Sequence, residues 1–161
     1  MGCGGRTVIK GLNAVDAAQA LRDSFDAVPN PAVIIIDANR YDQHFKPYTL
    51  SWEHSVYLSL YRGVHRDELA QLLRQQLHNK GIVVTQDGVI RYRVKGRRAS
   101  GDMNTAVGNA LVMCGMLYEY CKEHHLPSRV FDNGDDAGII VPRTFAHTVL
   151  ATLGPWFLEM G

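Results

Sequence analysis

The sequence predicts an α+β fold: helices packed on one face of a small antiparallel sheet, with a separate β-hairpin inserted. Three observations carry this. Five stretches space their apolar residues as helices do. One run, "AVIIID" at residues 32–37, is dominated by β-branched side chains. Two pairs of β-rich runs each flank turn-forming residues, the signature of hairpins.

Taken in order, "AVDAAQALRDSFDAV" is a helix, with Asn13 placed to cap it and Pro29 and Pro31 placed to stop it. "AVIIID" is expected to be a strand buried on both faces, ending at Asp37. "PYTLSWEHSVYLSLYR" and "RDELAQLLRQQLHNKG" give two helices, the second closed by Gly81. "IVVTQDGVIRYRV" is a hairpin around Asp87-Gly88. The polar loop "KGRRASGD" leads into a long helix, "MNTAVGNALVMCGMLYEYCKEHH", which Pro127 stops. "RVFDNGDDAGIIV" is a second hairpin. "RTFAHTVLATLGPWFLEMG" closes the chain as a helix that Gly154-Pro155 should disturb. Trp52, Trp156, Tyr57 and Tyr61 are expected in the core. No repeat or linker divides the sequence, so residues 1–161 are expected to form a single domain.

Composition narrows the function. With 46% apolar and 20% charged residues, the chain is of globular type. Its net charge of +1 excludes a strongly basic domain, so any nucleic-acid surface must be a local patch. No apolar run reaches the length of a membrane span, and the N-terminus carries no signal-peptide stretch. Gly2-Cys3 resembles an acylation start, but Arg6 stands where myristoylation prefers Ser or Thr. Cys3, Cys114 and Cys121 form no C-x-x-C pair, which argues against a disulfide framework or a zinc site. Cys114 and Cys121 are expected to pack in a core, in a reduced, intracellular protein.

The chemistry-bearing feature is acidic. Asp37 ends the apolar strand, and Asp132, Asp135 and Asp136 cluster about the turn of the last hairpin. Like charges about 4 Å apart repel by about 4 kcal/mol at an effective dielectric near 20. If the two strand ends lie side by side, three carboxylates meet, and hard oxygen donors suit Mg²⁺ or Mn²⁺. "NGDD" on its own is also ordinary turn chemistry.

The wider constellation points further. "DANRYDQH" carries Asp37 and Asp42, "SGDMNTAVGN" carries Ser100, Thr105 and Asn109, and "NGDD" follows. With "KGLNA" at residues 10–14 and "WEHS" at 52–55, these blocks resemble the central motifs of RNA-dependent RNA polymerases of positive-strand RNA viruses. The tombusvirus- and carmovirus-like group is the nearer match. The resemblance runs from about Lys10 to Val141. It implies a polymerase palm and RNA-templated nucleotidyl transfer using Mg²⁺, with Mn²⁺ as a substitute. Template, nascent RNA and NTPs are the implied partners. Asp37 and Asp135 match the metal-binding aspartates, with Asp136 as a weaker ligand. Asp42 and Asn109 match the pair that senses the ribose 2′-hydroxyl, and Ser100 and Thr105 lie in the same nucleotide-binding block. Tyr41 departs mildly from the family's usual Phe.

The family pattern also includes a basic fingertip before the first block and a thumb after the last. Only Arg6 and Lys10 remain of the former, so the chain is expected to be the central palm of a larger polymerase. The rival expectation is an inactive fragment that only binds RNA or a partner. The resemblance places the polymerase in host cytoplasm, within membrane-associated replication complexes.

Arg91, Arg93, Lys95, Arg97 and Arg98 crowd one hairpin arm and the loop after it. In a strand, 91, 93 and 95 share a face. Two roles stand open for them: holding template or nucleotide phosphates, or protecting a solvated edge strand by charge.

Overall fold

The structure is a computed structural model and describes residues 6–160. Cys3 and the acylation reading of Gly2 lie outside those residues. In chain order the elements are α1 (Ala14–Asp26), β1 (Pro31–Asp37), a 3₁₀ turn (Tyr41–His44), α2 (Pro47–Ser59), α3 (Gly63–Gln75), β2 (His78–Thr85), β3 (Gly88–Lys95), α4 (Thr105–Glu123), β4 (Arg129–Asp132), β5 (Asp136–Pro142) and α5 (Arg143–Met160). This is the α+β order that the sequence predicts. The elements gather into two compact units. One holds the chain up to Asn39 and from Ala106 onward; the other is Arg40–Thr105.

In the first unit a three-stranded antiparallel sheet has the order β1-β5-β4. Its central strand, β5, carries the deepest core, with Ile139, Ile140 and Val141 at most 2% exposed. β1 is instead an edge strand. Ile34 is buried, whereas Val33 and Ile35 are 43% and 68% exposed. The expected burial on both faces is thus wrong for β1. A continuous apolar run specifies a strand, but not its place in the sheet. Helix α5 lies against β1 and β5, and α1 against β4. Asn13 caps α1 as expected, its side-chain oxygen accepting from the Val15 and Asp16 amides at 3.0 and 2.9 Å.

α5 runs unbroken through Pro155. Proline removes one helix hydrogen bond, but here it lies on the exposed side, where water can take up the freed carbonyl. Beyond it Trp156 is buried, donates its indole N–H to Glu123 at 2.7 Å, and meets the Tyr120 ring edge-on. That anchor on α4 outweighs the local disruption.

In the second unit α2 and α3 pack together, and β2 and β3 form a two-stranded hairpin. The Thr85↔Gly88 pair brackets a tip made of Gln86 and Asp87, one residue earlier than predicted. α3 ends at Gln75 rather than at Gly81. Gly81 lies inside β2 opposite Tyr92, and any side chain there would collide with the Tyr92 ring. It is a seat for an aromatic ring, not a helix stop. Trp52 and Tyr61 are about half exposed, against expectation, while Tyr41, Phe45, Leu50 and Leu73 make this unit's core.

Candidate active site

The acidic centre is built by strand register. β1 and β5 pair antiparallel from Pro31↔Pro142 through to Asp37↔Asp136. Directly paired residues project to the same face, so Asp37 and Asp136 share the side on which Ile35 and Val33 are exposed. Asp37, Asp135 and Asp136 are all exposed. Asp135 stands at the tip of the β4–β5 turn, where the Asn133 amide closes onto the Asp136 carbonyl at 2.8 Å. Gly134 takes φ +105° there, a conformation that favours glycine. Among the described residues, no three His, Cys, Asp or Glu side chains come together closely enough to hold an ion by themselves. The arrangement is an opposed pair with a third carboxylate beside it, open to solvent.

Asp132 is different. It pairs with Ala137, so it projects to the other face of the sheet and is fully buried. Neither of its carboxylate oxygens has a partner at full hydrogen-bond geometry. Burial pushes its carboxyl up to about 6; the Gly134 backbone N–H and the Lys10 ammonium oppose that rise, and Asp135 adds to it. Lys10 also donates to the Asn133 carbonyl at 3.1 Å. Its Nζ lies 2.7 Å from where a Cβ on residue 134 would sit, so the lysine head packs directly over the turn. The segment bearing Lys10 is tied to β4 by Ile9 N–H to Asp132 O at 2.9 Å and Asp132 N–H to Thr7 O at 3.0 Å.

The predicted sugar-sensing residues divide between the units. In the second, the Ser100 hydroxyl donates to the Asp42 carboxylate, and the Thr105 hydroxyl donates to the Ala99 carbonyl at 3.1 Å. Asn109 belongs to the first unit, one helical turn after Thr105 in α4, and is buried. A buried amide is not the ordinary solvated helix face that its spacing alone would allow.

A family model described as viral RNA-dependent RNA polymerase matches residues 2–161. The chain belongs to the viral RNA-dependent RNA polymerase family. It is 40% identical over 157 residues to the RNA-directed RNA polymerase of Melon necrotic spot virus, covering 98% of this chain and 20% of that protein. Against the enzyme of the same name from Tobacco necrosis virus (strain D) the identity is 39% over 160 residues, covering 98% and 22%. For Cucumber necrosis virus the figures are 41% over 159 residues, 98% and 19%. The chain thus spans about a fifth of the length of the relatives it matches.

Polymerases of this family use divalent metal ions. The donor chemistry of Asp37, Asp135 and Asp136 fits a cation of the Mg²⁺ or Mn²⁺ kind, which keeps several waters and takes substrate phosphate as well as protein carboxylate. No helix among the described residues is long and apolar enough to cross a membrane.

On the β2–β3 hairpin, Arg91, Arg93 and Lys95 are exposed and share a face, as predicted. Register adds Lys80, which sits directly opposite Arg93, and His78, opposite Lys95. Like charges facing each other across a ladder are unfavourable unless an anion lies between them. Arg97 is exposed as well. Arg98 is not part of this surface. Its side chain is fully buried in an ion pair with Glu53, and its guanidinium lies 4.2 Å from the centre of the Phe45 ring. Its position in a run of basic residues suggested a solvated cation; alternation in the loop turned it inward. Glu53 and Asp132 were legible as acids, but no local pattern marks a carboxylate for burial.

Proposed function

We propose that this chain supplies the nucleotidyl-transfer centre of a longer polymerase that copies viral RNA from an RNA template. The observation that supports it most is Asp37 standing opposite Asp136, with Asp135 next to it at the turn, on the open side of an edge strand. In this reading the 3′-hydroxyl of the growing RNA attacks the α-phosphorus of an NTP in line, and pyrophosphate leaves. Asp37 and Asp135 would hold the Mg²⁺, or Mn²⁺ in its place, with Asp136 as a weaker ligand. When bound, the ions would stabilise charge on the attacking and leaving oxygens.

The protein's own contribution is placement. Ladder pairing fixes Asp37 against Asp136, and Lys10 and Gly134 shape the turn that presents Asp135. Three neighbouring carboxylates repel one another, and a divalent cation would relieve that repulsion. Asp42 and Asn109 read the ribose 2′-hydroxyl, helped by Ser100 and Thr105. The exposed Arg91, Arg93, Lys95 and Arg97, with Lys80, bind RNA phosphates. The polymerase works in host cytoplasm, in membrane-associated complexes.

The test uses the full-length polymerase carrying Asp135→Ala. Nucleotide incorporation on a primed RNA template should drop by orders of magnitude while RNA binding persists. Near-normal extension would remove Asp135 from the catalytic role.

A further inference from the structure

We infer that Glu53, with Arg98 and Asn104, is a positioning clamp that sets how strictly the polymerase chooses ribose over deoxyribose. The inference rests on Asp42 reading the sugar and goes beyond it to residues that touch no substrate.

Ser100 and Gly101 lie in an irregular, exposed loop between β3 and α4. Its own bonds are local turns, with the Asp102 N–H and the Thr105 hydroxyl both donating to the Ala99 carbonyl at 2.9 and 3.1 Å, and these do not fix where the loop stands against Asp42. Glu53 does this from both sides of the loop. Two residues upstream of Ser100, the Arg98 guanidinium pairs with Glu53 Oε2, both side chains being fully buried. Four residues downstream, Asn104 donates to Glu53 Oε1 at 2.9 Å. One carboxylate on α2 thus ties down the loop's two ends.

The clamp also reaches Asp42 through the backbone. Arg98 N–H donates to the Asp42 carbonyl at 3.0 Å, and the Arg97 amide donates to the Phe45 carbonyl. Arg98 therefore links Glu53, through its side chain, to the Asp42 main chain, through its amide. The Ser100 hydroxyl then takes the Asp42 carboxylate. The surroundings leave the clamp little freedom. Tyr57 donates to Glu53 Oε1 at 2.7 Å, and Gln76 and Asn104 exchange amide hydrogen bonds at 2.8 and 3.3 Å. His54 sits 3.2 Å from the same Gln76. Burial raises the Tyr57 phenol well above its usual range, and the Glu53 carboxylate beside it adds to this, so Tyr57 stays a donor.

Removing the negative charge of Glu53 leaves a buried guanidinium without its counter-ion, and the segment carrying Arg98 must move to resolvate it. That movement shifts Ser100 and the Asp42 main chain together. Selection against a missing hydroxyl depends on a polar group held in place, so a loosened Asp42 discriminates less.

The experiment compares full-length polymerases on a primed RNA template and measures kcat/KM for an NTP and its dNTP. The ratio of the two does not depend on the fraction of active enzyme, so simple destabilisation leaves it unchanged. Glu53→Gln should lower the NTP/dNTP ratio by about tenfold or more. Asn104→Ala removes one tie and leaves the buried ion pair intact, so it decides the matter if Glu53→Gln does not fold; a smaller fall in the same direction is expected. Asp42→Ala is the reference. If Asp42→Ala relaxes selection and the folded Glu53 and Asn104 variants do not, the clamp is wrong and the reading of Asp42 stands. If Asp42→Ala itself leaves the ratio unchanged, the reading of Asp42 falls and the clamp's stated purpose falls with it.

Discussion

Replacing Asp132 by asparagine should change how the fold responds to pH. The carboxyl is fully buried on the covered face of the sheet and titrates near 6 rather than at the ordinary 3.8. Its folded-state value is raised, so the neutral acid favours the folded state. The stabilisation is complete below pH 3.8 and is lost as pH rises to about 6. The interval between those values is worth about 3 kcal/mol. The side-chain amide of the Asp132→Asn variant cannot ionise. The difference in unfolding free energy between wild type and variant should therefore shift by about 3 kcal/mol between about pH 3.5 and about pH 7.5, against the wild type at the higher pH. Urea denaturation of the 161-residue chain in EDTA, at half-unit pH steps, reads this directly; taking the difference cancels the titrating groups that do not interact with Asp132. A flat difference would mean that burial does not raise this carboxyl. A wild type that gains on the variant as pH rises would be equally fatal, because Lys10 would then outweigh desolvation.

Two further outcomes follow from burial. Arg98→Ala leaves Glu53 as an uncompensated buried charge and should cost about 3–5 kcal/mol of stability, measured by the same denaturation; a loss within about 1 kcal/mol would mean that Glu53 finds water. Burial pushes the Cys114 thiol up to about 12 and raises Cys121 too, so iodoacetamide at about pH 8 should modify neither in the native chain; peptide mapping that finds Cys114 labelled as fast as in urea would contradict this.

Much of this molecule was legible because its signals are local. Asn13, the apolar spacing of the helices and the hairpin around "NGDD" each act through neighbours in sequence, and each formed as expected. What escaped depends on partners far along the chain. "AVIIID" announces a strand but cannot say that β5 will take the centre of the sheet. Gly81 has the look of a helix stop until Tyr92, eleven residues on, lays its ring over it. Pro155 should break α5, yet Trp156 finds Glu123 and Tyr120 on α4 and the helix continues. Arg98 belongs by sequence to a basic run and by structure to Glu53, forty-five residues earlier. That Asp37 faces Asp136 depends on register, which neither strand states by itself: the ladder from Pro31↔Pro142 to Asp37↔Asp136 sets it. Asp132, four residues before Asp136, is sent to the opposite face because the turn intervenes and its own partner is Ala137.

Everything proposed for the active site requires Asp37 and the carboxylates of the hairpin turn to share divalent cations. Electron paramagnetic resonance titration of Mn²⁺ into the full-length polymerase tests this without requiring turnover. Asp37→Asn and Asp135→Asn should each weaken Mn²⁺ binding by about tenfold or more, although the two residues are nearly a hundred positions apart in the sequence. Wild-type affinity in both variants would show that the ions bind elsewhere.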